Sequence, residues 1–286
     1  MDGIPFRGSD AIRRGELTRN DLRTRFRRVF RDAYVGRDVR TSAALKAQAA
    51  WLSTGATLCG TSAAAVHGTK WLDPEAPAEV VRANPHPQKD MVVRRYRLAD
   101  QDVCRAKSIR VTTPARTAFD LGRRMPLEAG VQHLDALMNA TLLDVDGIEA
   151  VARRHPGVPG LRQLGETLAY VDGGAESPYE SLTRVLLVAH GFPRPQTQIP
   201  VYDERGRLFA RIDMGWSEYQ VGVDFEGKHH WTDPRQRDWD VERYAKLTEL
   251  GWIDTRVTAR ILHNRQQDFF DRVGAALLSR GCPKTW

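Results

Sequence analysis

From Val221 to Glu226 the residues alternate strictly: Val221, Val223 and Phe225 against Gly222, Asp224 and Glu226. A period of two belongs to a strand with one apolar face, so the three apolar side chains are expected in a core and both acids on the opposite face. A strand over 207–214 precedes it and carries Asp213 near its end. The polar turn around Trp216, Ser217 and Glu218 folds the two strands into a hairpin and brings Asp213 close to Asp224. Upstream, Leu182, Val185, Leu186 and Leu187 recur at helical spacing just after Glu180. At the front, a helix starts near Ser9, and Thr18 with Asp21 forms a weak capping box for a second helix over 19–26. A strand over 29–35, ending at Gly36, reads as one arm of a wing. Further helices are expected over 43–53, 114–124, 126–140, 147–153 and 161–170, with strands over 79–82 and 91–97. Asp144-Val-Asp146-Gly lacks the remaining ligands of a calcium loop and reads as a helix-capping turn. Val171-Asp-Gly-Gly174 reads as a linker.

These elements imply an α+β or α/β multidomain chain: a winged helix-turn-helix-like region over 1–55, a connecting mixed domain over 56–170 and a third domain over 171–286. The 286 residues suffice for that division. Charge sharpens the picture, because twelve Lys and Arg against six Asp and Glu leave +6 of the net +7 in the first fifty residues. Arg19, Arg23, Arg25, Arg27 and Arg28 come in one burst with Phe26 and Phe30 as apolar anchors. Such a surface suits the phosphates of DNA. No run of 18 apolar residues occurs and the front lacks a signal-peptide core, so the expectation is a cytoplasmic protein without a membrane partner. A homodimer stays open. Cys59, Cys104 and Cys282 are too scattered for a disulfide framework or zinc finger, and Cys59 with His67 reads as core.

Three carboxylates and a lysine on one hairpin carry the candidate chemistry. Asp224 and Glu226 share one face with Asp213 across the hairpin, and such like charges repel unless a cation sits between them, which points to Mg²⁺ or Mn²⁺. A metal so held activates water and neutralises charge in phosphodiester hydrolysis. Lys228 could stabilise the transition state, and His229 or His230 could accept a proton near pH 7. The plain alternative is a hairpin whose acids are merely solvated.

At Glu176-Ser-Pro-Tyr-Glu180, Gly191-Phe-Pro, the hairpin, Asp238 to Lys246 and Leu250-Gly-Trp252 to Thr258, the sequence resembles the very-short-patch-repair-like (Vsr-like) branch of the PD-(D/E)XK nucleases. The resemblance implies a restriction-endonuclease-like αβββαβ core. It also implies Asp213 as first acid and Asp224 as second, together holding the metal, Glu180 as the acid of the first helix that binds it directly or through water, and Arg243 and Lys246 as DNA contacts. Glu226 stands where the general pattern has lysine, and an alternative register reads Glu226-Gly-Lys228 as the signature. Residues 1–125, through Leu58-Cys-Gly-Thr-Ser62 and Val111-Thr-Thr-Pro114, resemble the AbiEi-type antitoxins of bacterial toxin–antitoxin systems. Together these imply a bacterial Mg²⁺-dependent DNA endonuclease, in repair or defence, with catalytic candidates Glu180, Asp213, Asp224, Glu226, Lys228 and His230. The alternative is a DNA-binding regulator or antitoxin with a degenerate nuclease fold.

Overall fold

Capping chemistry sets the first elements. Strand β1 (Phe6–Arg7) leads into α1 (Gly8–Arg13), and Thr18 opens α2 (Arg19–Thr24) with a complete capping box, its hydroxyl accepting from Asp21 N–H while Asp21 accepts from Thr18 N–H. The helix stops two residues earlier than the pattern predicts, because Phe26 already turns inward as the first residue of β2 (Phe26–Phe30). The single strand expected over 29–35 is instead split by a turn, its start ending β2 and its remainder forming most of a second, antiparallel strand. Asp32 adopts a left-handed backbone between β2 and β3 (Ala33–Gly36), and its carboxylate accepts from Ser9 N–H and hydroxyl. The sheet order is β1-β3-β2.

The computed structural model describes residues 3–83, 86, 88–227 and 234–286, with the backbone alone for 234–241. They fall into two compact units, Met1–Leu168 and Ala169–Trp286. In the first, the small sheet is followed by α3 (Ala43–Thr54), β4 (Thr57–Leu58), α4 (Gly60–His67), β5 (Ala78–Val81), β6 (Met91–Arg94), β7 (Val103–Ala106) and β8 (Ile109–Thr112). These strands form a five-stranded mixed sheet in the order β6-β5-β4-β8-β7. Its core joins Leu58, Val80, Met91 and Val111 to Ala47, Ala50 and Ala63 of α3 and α4, where alanines let helix and sheet approach closely. Then come α5 (Pro114–Gly122), α6 (Leu127–Thr141), α7 (Val145–Arg154) and α8 (Leu161–Leu168). Asp144 caps α7 by accepting from Gly147 N–H, as the capping-turn reading expects.

The second unit starts its α9 (Pro178–Ala189) with Ser177 as cap and proline in the first turn. It continues as β9 (Gln196–Tyr202), β10 (Leu208–Trp216), β11 (Val221–Glu226), α10 (Pro234–Glu249), β12 (Ile253–Thr258), α11 (Ala259–Asn264) and α12 (Gln266–Ser279). The sheet order is β12-β11-β10-β9, with β11 and β12 parallel and the other pairs antiparallel. Val221 and Val223 pack with Leu182, Leu187, Phe269 and Val273 on one side. Ile212, Leu247 and Trp252 form a second core with Tyr244. Both units are mixed α and β, as the sequence implies.

Candidate acidic site and basic face

The acidic site lies where β10 and β11 separate. Their backbone pairing runs from Trp216–Val221 to Met214–Val223, and the next two residues are Asp213 and Asp224. Here side chains take over from the ladder: Asp224 Oδ1 accepts from Asp213 N–H at 2.9 Å, and Asp213 Oδ2 accepts from Phe225 N–H at 2.8 Å. Each carboxylate therefore replaces a backbone carbonyl, and the hairpin is braced reciprocally. The acid face is not open, contrary to what alternation alone suggests, and Asp224 is only 4% exposed. Arg243 of α10, itself 11% exposed in its side chain, makes a 2.6 Å charge contact with Asp224 Oδ2 and donates to Arg211 C=O. A helix carrying a guanidinium makes burial of that acid tolerable, since an unpaired buried carboxylate is costly.

Glu180 reaches toward the same end. Its Oε2 accepts from Glu176 N–H and Gln198 Nε2, and burial pushes its carboxyl up from the ordinary range. Asp213 is pushed up to about 8, first by burial and then by the charges of Asp224 and Glu180. The sequence reading assigned no role to Asp254, which belongs to this group. Through the parallel register it sits opposite Gly222, two residues from Asp224. Among the described residues neither of its buried oxygens has a hydrogen-bond partner, and burial together with Asp224 pushes it up to about 7. A Cβ on Gly222 would lie 2.9 Å from Ile212 and 3.2 Å from Asp254 Oδ1, so glycine there leaves Asp254 its space. The signal for Asp254 was the alternation Asp254, Arg256, Thr258, but nothing local states which strand β12 joins. Glu226 is paired with Arg256 at 3.0 Å. Lys246 contacts Glu249 at 3.0 Å and Glu204 at 3.5 Å. Lys228, His229 and His230 lie outside the described residues.

Carboxylates are the right donors for Mg²⁺ or Mn²⁺. Among the described residues, however, no three His, Cys, Asp or Glu side chains gather closely enough to hold one ion. Asp224 already engages a backbone N–H and a guanidinium, and Asp213 and Glu180 each commit one oxygen to a hydrogen bond. Among the described residues these acids are not gathered as a metal centre in this arrangement, although Asp254 keeps both oxygens without a described hydrogen-bond partner.

The basic face belongs to the first unit. Arg19, Arg23, Arg25 and Arg28 are exposed on α2 and the start of β2. Arg23 donates to Asn20 within its own helix, and Arg25 lies 5.6 Å from the centre of the Phe26 ring. Arg27 differs, because its guanidinium is half-buried and donates to Val39 C=O and Thr41 Oγ1. It ties the hairpin to the segment before α3. In the same unit the buried Cys59 thiol is pushed up to about 12 by burial, and His67 Nε2 sits 2.8 Å from Thr112 C=O, so both are core groups.

Comparison with known proteins decides how the first unit is read. Residues 48–168 match the AbiEi antitoxin C-terminal domain. The AbiEi match begins within α3, contains the whole five-stranded sheet and α4 to α8, and ends where the first compact unit ends. The match supports the AbiEi-like reading and nearly coincides with the connecting domain expected over 56–170, while it does not include the first 47 residues of the 1–125 stretch that carried the resemblance. The chain is also 31% identical over 141 residues to the uncharacterized protein MT2308 of Mycobacterium tuberculosis strain CDC 1551 / Oshkosh. The same figures hold for the uncharacterized protein Rv2248 of Mycobacterium tuberculosis strain H37Rv. That similarity covers 49% of this chain, and the chain spans about half the length of these relatives, 52%. No solved structure matches significantly. Among the described residues no helix is long and apolar enough to cross a membrane.

Proposed function

We infer that this chain is a DNA-binding regulator of the antitoxin type whose second unit is a nuclease-like module without catalytic duty. The AbiEi match over 48–168 carries the reading. It is supported by the exposed arginines of α2 and β2 immediately upstream, which read as the helix and wing of a small winged helix-turn-helix holding DNA phosphates. The second unit follows the order helix, three strands, helix, strand of a restriction-endonuclease-like core, from α9 to β12. In it, Arg243 supplies the positive charge beside Asp224. Fluorescence anisotropy with a labelled DNA duplex tests the reading. The full chain binds, and changing Arg19, Arg23, Arg25 and Arg28 together to alanine removes most of the affinity; equal binding by that variant would overturn it.

A second reading, phosphodiester hydrolysis by the second unit, draws on one specific observation: Glu180, Asp213, Asp224 and Asp254 act on one another electrostatically within that core. Nicking of supercoiled plasmid in Mg²⁺ or Mn²⁺ tests it. Nicking lost in Asp213→Asn would favour hydrolysis, whereas an intact plasmid with the wild-type chain removes this reading.

A further inference from the structure

The first unit contains a half-open cavity of about 300 Å³, whose described lining does not include the exposed arginines of α2. That volume is at the lower end of ligand pockets, which run from about 300 to 1,000 Å³. Its floor is apolar, made by Leu45 of α3, Ala65 and Val66 of α4, and Ile109 of β8, all buried. Its lining also carries the polar Ser42 and Gln48 and two cations, Arg40 and Lys107, and among the described residues no acid lines it. Both cations are exposed, so they keep their hydration until an anion replaces it. An apolar floor under two like charges is poorly matched to water and well matched to one chemical class, a small apolar body bearing a carboxylate or phosphate.

The position of Lys107 adds to this. Lys107 and Ser108 form the turn between β7 and β8 with φ of 49° and 65°, a left-handed pair for which glycine or asparagine is the ordinary choice. The turn thus places a long cationic side chain, rather than a compact turn residue, at the cavity mouth.

We propose that this cavity is a binding site for a small amphiphilic anion, held by Arg40 and Lys107 over the floor of Leu45, Ala65, Val66 and Ile109. Neither the AbiEi match nor the DNA-binding reading is needed for it. Isothermal titration of the full chain with phenyl phosphate, benzoate, benzyl alcohol and inorganic phosphate separates the contributions. Saturable binding of phenyl phosphate or benzoate is expected, and which of the two binds tighter tells phosphate from carboxylate chemistry. Benzyl alcohol and inorganic phosphate, each lacking one half of the match, should bind roughly tenfold or more weakly. The double variant Arg40→Ala, Lys107→Asn keeps a residue suited to the left-handed turn, so its unliganded Tm should stay near that of the wild type while binding falls by a similar factor. The charge-keeping variant Arg40→Lys should retain binding. No saturable binding of either aromatic anion, equal binding of benzyl alcohol, or unchanged affinity in a well-folded double variant would each overturn the proposal.

Discussion

Arg243 and Asp224 form the contact on which the acid-bearing face depends most. Asp224 is buried and Arg243 half-buried, and the neighbouring Asp213 and Asp254 add negative charge, so removing the guanidinium leaves a carboxylate with one backbone N–H as its sole described partner. Breaking such a pair from one side costs about 3–5 kcal/mol. Arg243→Ala should therefore lower the urea midpoint of the second unit, and adding Asp224→Asn should restore part of the loss. A double variant no better than Arg243→Ala would show that the contact is incidental. The same residues predict a pH dependence. Asp213 and Asp254 have folded-state values near 8 and 7, above an ordinary 3.8, so the folded state holds protons that the unfolded chain gives up. Their stabilising contribution is complete below about pH 3.8 and is lost as pH rises toward 8. Comparing the Asp213→Asn, Asp254→Asn variant with the wild type by thermal melts from pH 5 to 8.5 isolates it: the wild type should lose Tm relative to the variant as pH rises. Parallel curves would remove the effect. At this scale Asp213 and Asp224 were legible, because alternation and a hairpin are local. Asp254 was not, because its neighbour is fixed by a parallel pairing across the α10 crossover, a tertiary fact.

Among the elements, α2 and the β2–β3 hairpin carry the sharpest expectations. With only six residues α2 is too short to be stable alone, so its capping box matters more than in a long helix. Thr18→Ala should cost about 1 kcal/mol of first-unit stability. Arg27 and Arg28 are adjacent in sequence and opposite in role. Arg27→Ala should destabilise the unit by about 1–2 kcal/mol through the lost bonds to Val39 and Thr41. Arg28→Ala should leave the melting curve unchanged and weaken DNA binding. Matched melting and anisotropy measurements on the two variants check this, and equal melting curves would contradict the division of labour. Capping residues made the starts of α2 and α7 readable from Thr18 and Asp144. The two-residue β4 and the short β7 and β8 were not readable, since strands of that length exist only through the sheet they join.

At the scale of the whole molecule, the proposed function assigns nucleic-acid binding to the exposed arginines of the first unit and an architectural role to the acids of the second. The concentration of positive charge in the first fifty residues was plain in the sequence, but which arginines are free required the fold, because Arg27 and Arg243 look no different from Arg28 until their partners are seen. The most direct measurement is the salt dependence of duplex binding by the full chain, read together with the integrity of that duplex after incubation in Mg²⁺. Four engaged arginines predict a log–log slope of roughly −3.6, at about −0.9 per phosphate contact. That slope should flatten in the variant lacking Arg19, Arg23, Arg25 and Arg28 and persist in Asp213→Asn, and the DNA should remain uncut. A slope unchanged by the arginine substitutions, or cleavage abolished by Asp213→Asn, would contradict the proposed function.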